Sequence, residues 1–467
     1  MSKPHTMNPA IYPSDALSTT LRRSTQDPKN APGEARTRRQ TLQQPDGSLE
    51  RTVSSVSIQP NVPKKYGHSR ENSASDMSHA KAPTSSSSTS SSSETAHQSL
   101  LSNPYETRYE RRYLRELPYP LPVDLVELQR QNLKTLLCCR VFGSAVCSPN
   151  ANTRVPRRVL ELGCGSGLWS AMCHDFFRSL GHSDVSFTGL DVAPLATDLN
   201  KQGVNWTFVQ HDLRRVPFPF DDEQFDLVMV KDLSLVIPMS VAAQRLIDDS
   251  IRILSPGGTL EIWESDHLIR SLLPHPPIST SQHVDHEHAI ETGTFLISPA
   301  TPFAPAQNRF IVQANAWIQE ALDRRKYLPA PCTTIADTLH QQVDDLDTIG
   351  SRRIAMPLSE LRWESDGSKN SRYASEKGDH WRFKGKQRAS EGALNAEQAS
   401  LRQTALVTVV QMIESLEPLL KEVNGKNAEE WAGWWAAMMR ELLSPSKNAL
   451  NGECLEIGAW WATKIVK

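Results

Sequence analysis

The run VLELGCGSGLW, Val159 to Trp169, sets Glu161 and three alternating glycines, Gly163, Gly165 and Gly167, directly behind a short apolar segment. Glycines there leave backbone N–H groups uncovered, and a helix opening after them adds the positive end of its dipole. Cys164, between the first two glycines, belongs to the same turn. Such a turn cradles a polar cofactor against the backbone itself, and suits either a dinucleotide pyrophosphate or the amino-acid end of S-adenosylmethionine. Two more carboxylates close later apolar segments: Asp191 in GLDVAP, followed by Val192, and Asp212 in VQHDLRRVPF, followed by Leu213. A carboxylate ending a buried strand needs a partner, which a nucleoside's hydroxyls would supply. The alternatives are local: Asp191 can cap the turn near Ala193, and Asp212 can cap a helix or turn.

Groups able to move a proton lie further along. Lys231 and Asp232 follow one apolar strand, and Glu264, Asp266 and His267 follow the next. Lys231 and Asp232 can also simply pair with each other, and His267, beside a His-rich stretch, can be bystander surface. The seven cysteines, Cys138, Cys139, Cys147, Cys164, Cys173, Cys332 and Cys454, show neither CxxC pairs nor a histidine partner at zinc-finger spacing, so reduced thiols and no metal site are expected.

The elements that must position these residues follow from periodicity. Short β-type segments at Arg158–Leu162, Val185–Asp191, Trp206–Gln210, Phe225–Val230 and Thr259–Glu264 alternate with helices opening near Gly167, Leu195 and Ser240. That alternation predicts an α/β fold, a Rossmann-like doubly wound parallel sheet with helices on both faces. Upstream, Leu125, Leu128, Leu133, Leu136 and Leu137 recur at helical spacing after Asp124, a residue suited to cap them, and predict an entry or lid helix over about 124–137. Downstream, residues 273–305 read as a loop or site cover and 308–325 as an amphipathic helix. Ser351–Trp363 reads as a sixth strand and the charged stretch 364–396 as an exposed insertion. Helices are expected over 399–422 and 428–443, where the tryptophans of EEWAGWWAAMM read as helix core, and Cys454–Lys467 reads as a closing strand.

Composition bounds the rest. Residues 1–103 hold two aromatics, Tyr12 and Tyr66, and end near the tract TSSSSTSSSSET. Such a tail cannot bury enough apolar surface to offset chain entropy, so it is expected to be disordered and to be where protein partners would engage. The folded domain is expected over 104–467. A net charge of −2 in 467 residues argues against a protein built to hold nucleic acid. The basic clusters RTRR and PKK are short, and no apolar run approaches the length of a membrane span or the core of a secretion signal. An intracellular protein of cytoplasm or nucleus, away from membranes, is the expectation.

Spacing separates the two cofactor chemistries. A dinucleotide fingerprint would carry its third glycine or alanine where Leu168 stands, a side chain that obstructs close helix–strand packing. Instead Glu161-x-Gly163-x-Gly165-x-Gly167, with GLDVAP, VQHDLRRVPF, FPFDDEQFDLVMVKDLS and RILSPGGTLEIWE in order, resembles the class I S-adenosylmethionine-dependent methyltransferases. The resemblance implies their seven-stranded sheet and S-adenosylmethionine as cofactor. It implies a cofactor site of Glu161, Gly163, Cys164, Gly165, Gly167, Asp191 with Val192, Asp212 with Leu213, and Lys231, in which Asp191 holds the ribose hydroxyls and Asp212 meets the adenine amino group. Within that superfamily, RYLRELPYPLPVDLVELQRQNL and PRRVLELGCGSGLWS resemble fungal methyltransferases of the group that includes velvet-complex regulators of secondary metabolism, with Gln131 where that group has Asp. The acceptor, a small molecule or a protein, is left open, as is the catalytic group among Lys231, Asp232 and His267. Two alternatives stand: a non-catalytic regulator or scaffold that keeps the fold and its cofactor, and an NAD(P)-dependent oxidoreductase.

Overall fold

The structure, a computed structural model, describes residues 97–238, 241–274, 283–364, 394–443 and 449–467. The expected tail therefore lies outside the described residues up to position 96, and the expected insertion does so over 365–393.

Five strands run parallel: β3 (Arg158–Leu162), β4 (Ser186–Asp191), β5 (Asn205–Gln210), β6 (Phe225–Lys231) and β7 (Leu254–Ser265). β12 (Glu453–Lys464) lies antiparallel on β7, and β11 (Leu346–Pro357) antiparallel on β12. The seven form the order β5-β4-β3-β6-β7-β12-β11, the expected doubly wound sheet. Three short strands, β8 (Arg270–Leu272), β9 (Phe295–Leu296) and β10 (Phe303–Pro305), extend it to ten, more than the seven expected from sequence. A separate hairpin, β1 (Tyr105–Arg108) and β2 (Arg111–Leu114), precedes it.

Alternation along each strand splits the core into two layers, because successive side chains point to opposite faces. Val159, Phe187, Leu227 and Met229 join Trp169 and Phe177 of helix α2 (Leu168–Ser179) on one face. Leu160, Leu162, Leu190, Val228 and Val230 pack on the other with Leu246, Ile247 and Ile251 of α3 (Val241–Ile253). Both faces are apolar, as a parallel sheet covered by helices requires. All seven cysteines are buried and free.

Helix α1 (Leu125–Phe142) begins where expected, with the Asp124 side chain accepting from Glu127 N at 3.1 Å, and runs five residues beyond Leu137 to Phe142, where Gly143 caps it. Several expectations need correction. No α-helix opens near Leu195; the β4–β5 connection is a single 3₁₀ turn, Leu199–Gln202, capped by Asp198 and ended by Gly203, with Asn200 bridging to Trp206. The stretch 273–305 is not one loop. Its described part contains helix α4 (His283–Thr292), β9 and β10, held from outside by His288 Nε2 against the Arg140 carbonyl at 2.9 Å and by β9 pairing with β11. The expected helix 399–422 is two, α6 (Ala396–Ser415) and α7 (Glu417–Asn424), because Pro418 has no N–H to continue the first ladder. The sixth strand begins at Leu346 rather than Ser351 and ends at Pro357. Downstream of β10, α5 (Arg309–Arg324) and α8 (Ala428–Leu442) match their expected spans, and Trp431 of α8 is buried against Trp317 and Trp434. Among the described residues no helix is long and apolar enough to cross a membrane.

The boundary at residue 103 also moves. Residues 97–102 are helical, and Leu100 is buried in a small cluster with Leu114, Val123, Val192 and Ala193. Removing residues 1–96 should therefore leave the melting temperature nearly unchanged, whereas Leu100→Ala should cost about 2 kcal/mol, the lower end for a buried leucine because the cluster is small. Urea melts of both variants check this.

Candidate functional site

Register builds the site. Leu162 sits level with Leu190 of β4 and Val230 of β6, so the next residues, Gly163, Asp191 and Lys231, leave the sheet together at its carboxyl edge. Lys231 pairs with Trp263 of β7, which brings Glu264 to the same edge. Strand order, not strand direction, reverses at β3, whose parallel neighbours are β4 on one side and β6 on the other, and the crevice at such a switch point is where open α/β sheets bind ligands. A cavity opens there, bordered by Gly163, Gly165, Asp191, Val192, Asp212, Leu213 and Lys231.

The glycine turn is held by carboxylates on both sides. Glu161, buried in β3, accepts from Ser170 Oγ at 2.7 Å and Ser170 N at 3.3 Å, tying the strand to the first turn of α2; burial pushes its carboxyl up to about 7. Asp191 accepts from Gly165 N at 2.9 Å and Ala193 N at 3.2 Å, and burial raises it above its usual range despite these bonds. Asp191 is thus a turn cap that also borders the cavity, and each oxygen has a lone pair left. Gly165 has φ +51°, and a Cβ added there would meet nothing nearer than Gln131 Oε1 at 3.7 Å. The space before its backbone is open, as a cradle for a ligand requires. Gly167 caps α2 in the left-handed region. Cys164 is buried and donates its N–H to Leu190 O, so it shapes the turn from behind.

Asp212 borders the cavity with its oxygens engaged. Its carboxylate takes Arg214 Nε at 3.0 Å, Nη2 at 2.8 Å and backbone N at 3.0 Å. Burial works to raise it, but these contacts outweigh burial and hold it below the ordinary carboxylate range.

Lys231 and Asp232 pair at 3.2 Å, and a residue that sequence reasoning did not single out completes the cluster: Lys134 of α1 reaches Asp232 at 2.6 Å and Ser265 Oγ at 2.5 Å. Burial opposes ionisation of Asp232, but the two ammonium groups outweigh it and hold its carboxyl far below the usual range. Helix α1 borders the cavity with Arg130, Gln131 and Lys134, so the entry helix forms a wall of the site. The buried Glu127 neutralises Arg130 through two bonds, at 2.9 and 2.7 Å, and takes Ser415 Oγ of α6 at 2.7 Å. The helical spacing of Lys134 was visible in the sequence, but not which strand end it would meet.

His267 is not bystander surface. It is partly buried, borders the cavity, and its Nε2 lies 3.0 Å from Ser234 Oγ, which lies 3.0 Å from Glu264 Oε2. Ser234 was missed because nothing local marks a serine in a turn. Among the described residues no cluster of three or more His, Cys, Asp or Glu side chains could hold a metal ion.

A seven-strand order with an antiparallel last pair, and a glycine turn at its switch point, is the Rossmann-like fold of the class I methyltransferases. Residues 159–258 match the family described as a methyltransferase domain. The chain is 28% identical over 123 residues to a demethylmenaquinone methyltransferase of Tropheryma whipplei, covering 25% of this chain and 45% of that protein. It is 27% identical over 113 residues to Methyltransferase str3 of Strobilurus tenacellus, covering 24% of this chain and 37% of that one. It thus spans less than half the length of either relative. Among solved structures, phosphoethanolamine N-methyltransferase 2 of Haemonchus contortus, in complex with phosphomonomethylethanolamine and S-adenosylhomocysteine, is 13% identical with a TM-score of 0.32, over 76% of this chain and 62% of that one.

Asp232→Asn should destabilise the protein by about 3 kcal/mol at pH 7, since it leaves two buried ammonium groups without their carboxylate. A carboxyl whose folded pKa is depressed contributes stability that is present above its unfolded value, about 4, and lost as pH falls below it. The difference between wild type and variant in urea melts should therefore shrink on going from pH 7 to pH 3.

Proposed function

We propose that the chain is an S-adenosylmethionine-dependent methyltransferase. The observation that carries this is the open cradle at Gly165, with Asp191 beside it at the switch point of a sheet whose 159–258 segment matches a methyltransferase domain. When bound, the cofactor supplies an electrophilic methyl group, and the protein's part is to bind, orient and exclude water. Gly163 and Gly165 would receive the amino-acid end against their backbone. Asp191 would accept from the ribose hydroxyls with the lone pairs its own backbone bonds leave, and Val192 and Leu213 would border the adenine. With Asp212 committed to Arg214, the pair would face the base edge as a unit.

The oxidoreductase reading is disfavoured by the sheet: β12 lies antiparallel between β7 and β11, whereas the dinucleotide-binding order continues with a parallel sixth strand. The finer placement, in the fungal group that includes velvet-complex regulators, is supported by where its entry motif lies. Leu117, Pro118, Tyr119 and Leu121 border the cavity, and Gln131, the departure from that group, stands opposite Gly165. The non-catalytic alternative predicts cofactor binding without turnover.

Calorimetric titration should show binding of S-adenosylhomocysteine and none of NADH. Gly165→Arg should fold, at a backbone cost of roughly 1–2 kcal/mol for a left-handed non-glycine, and fail to bind, its side chain occupying the cradle. Asp191→Ala should lose roughly 2–3 kcal/mol of cofactor affinity and about 1 kcal/mol of stability, because the same carboxylate caps the turn. Normal affinity in a folded Gly165→Arg variant would sink the placement. Transfer of labelled methyl groups into cell extract, with and without the protein, separates enzyme from scaffold.

A further inference from the structure

Beyond the cofactor edge the cavity continues under two helices that lie far along the chain. Ile311, Ala314 and Ile318 of α5 and Val409, Met412 and Ile413 of α6 present apolar faces to it. The charged groups around this chamber are already satisfied. Arg130 is paired with Glu127, and Lys134 and Lys231 with Asp232. Asp266 accepts from Cys332 N at 3.0 Å. The amide of Asn315 is spent on both backbone groups of Ile269, at 3.0 and 2.7 Å. Each of these groups already has a protein partner, and the apolar faces of α5 and α6 would solvate an uncharged apolar acceptor.

Ser234, Glu264 and His267 form a polar chain at the border of the chamber, and its His267 end has capacity left. The backbone N and Oγ of Ser234 both donate to Glu264, at 2.8 and 3.0 Å. With Glu264 ionised, the single hydroxyl hydrogen is spent on the carboxylate, so Ser234 Oγ accepts from His267, and Nε2 carries the hydrogen. Nδ1 is then the basic nitrogen of a neutral imidazole.

We propose that the methyl acceptor is a small, uncharged, largely apolar molecule bearing an acidic hydroxyl of the phenol or enol kind, and that its proton leaves through His267 and Ser234 to Glu264. The proposal rests on the methyltransferase reading and assigns its substrate class. The acceptor's O–H bond breaks toward His267 Nδ1, the Nε2 hydrogen passes to Ser234 Oγ, and the serine hydrogen passes to Glu264. The oxygen's electron pair forms the C–O bond to the methyl group, and the pair of the breaking C–S bond returns to sulfur, whose positive charge it cancels.

The direction of the relay follows from the surroundings. Burial, with Lys134 and Arg130 nearby and Asp232 opposing them, holds His267 down to about 3, so the imidazole passes a proton on rather than keeping it. Burial and the Asp232 charge push Glu264 up to about 7, against Lys134 and the Ser234 bonds, so it can take a proton near neutrality. Lys231 and Asp266 also face this edge, and burial and the Glu456 charge push Asp266 up to about 6. Below about pH 7 Glu264 already holds a proton and the relay is blocked; above it the relay is open.

The test uses the full chain. Calorimetry with S-adenosylhomocysteine comes first, and wild type, Ser234→Ala and Glu264→Gln should bind it within about twofold of one another, since neither side chain belongs to the proposed cofactor cradle. Wild type with labelled S-adenosylmethionine should then convert 2-naphthol and 4-nitrophenol to their methyl ethers, at a rate that rises as pH passes through about 7. Both variants should lose roughly 10²–10⁴-fold in kcat with KM little changed, and Glu264→Gln should lose the rising limb. The proposal is overturned if wild type binds S-adenosylhomocysteine but methylates neither phenol, or if folded variants keep the rate and the limb. Failure of wild type to bind S-adenosylhomocysteine at all would instead bring down the methyltransferase reading beneath it.

Discussion

Two backbone N–H groups from different parts of the chain, Gly165 and Ala193, converge on the carboxylate of Asp191, and the carboxyl edge of the sheet is organised around that meeting. It joins the turn after β3 to the turn after β4 and pairs the Gly165 N–H, while Leu190 O takes those of Gly163 and Cys164, so none of the three bears the desolvation cost of a lost hydrogen bond. Glu161 performs the complementary task behind the turn by holding the first turn of α2 through Ser170. Between these two carboxylates the glycines can stay at positive φ with open space before Gly165.

The second organising constraint is that the charged groups in the wall of the cavity find their partners within the wall. Lys134 comes from α1, Asp232 and Lys231 from the end of β6, and together they fasten the entry helix to the sheet. One turn earlier in the same helix, Glu127 and Arg130 pair with each other and take Ser415 from α6. A buried pair of this kind adds little net stability over an apolar substitute, but losing one partner is costly, so α1 has few other placements open to it. The helix that closes the cavity on one side thereby positions the helix that roofs it on another.

How much of this was legible in the sequence differs by residue, for physical reasons. The five parallel strands were legible because apolar alternation and punctuation are local, and so was the Asp124 cap. Gly165 and Asp191 were legible because a glycine-rich turn between strand and helix, and a carboxylate closing a buried strand, leave few uses for such residues. The helix expected near Leu195 was not present, because Asp198 and Gly203 confine that crossover to one 3₁₀ turn and Asn200 locks it to β5. Lys134 and Ser234 carried no local signal, since their partners lie 98 and 30 residues away.

By itself the sequence determined the period of each element, the turn at which bare backbone is exposed, and the carboxylates at the strand ends, because backbone sterics and side-chain alternation act over a few residues. Tertiary structure decided what faces that turn. The pairing of Lys231 with Trp263 sets Glu264 beside Ser234 and brings His267 to the same hydroxyl. The packing of α5 and α6 over the edge makes the space beyond it apolar. Strand register and helix docking are settled by side chains far apart in the chain competing for one buried surface, and no local pattern records who wins.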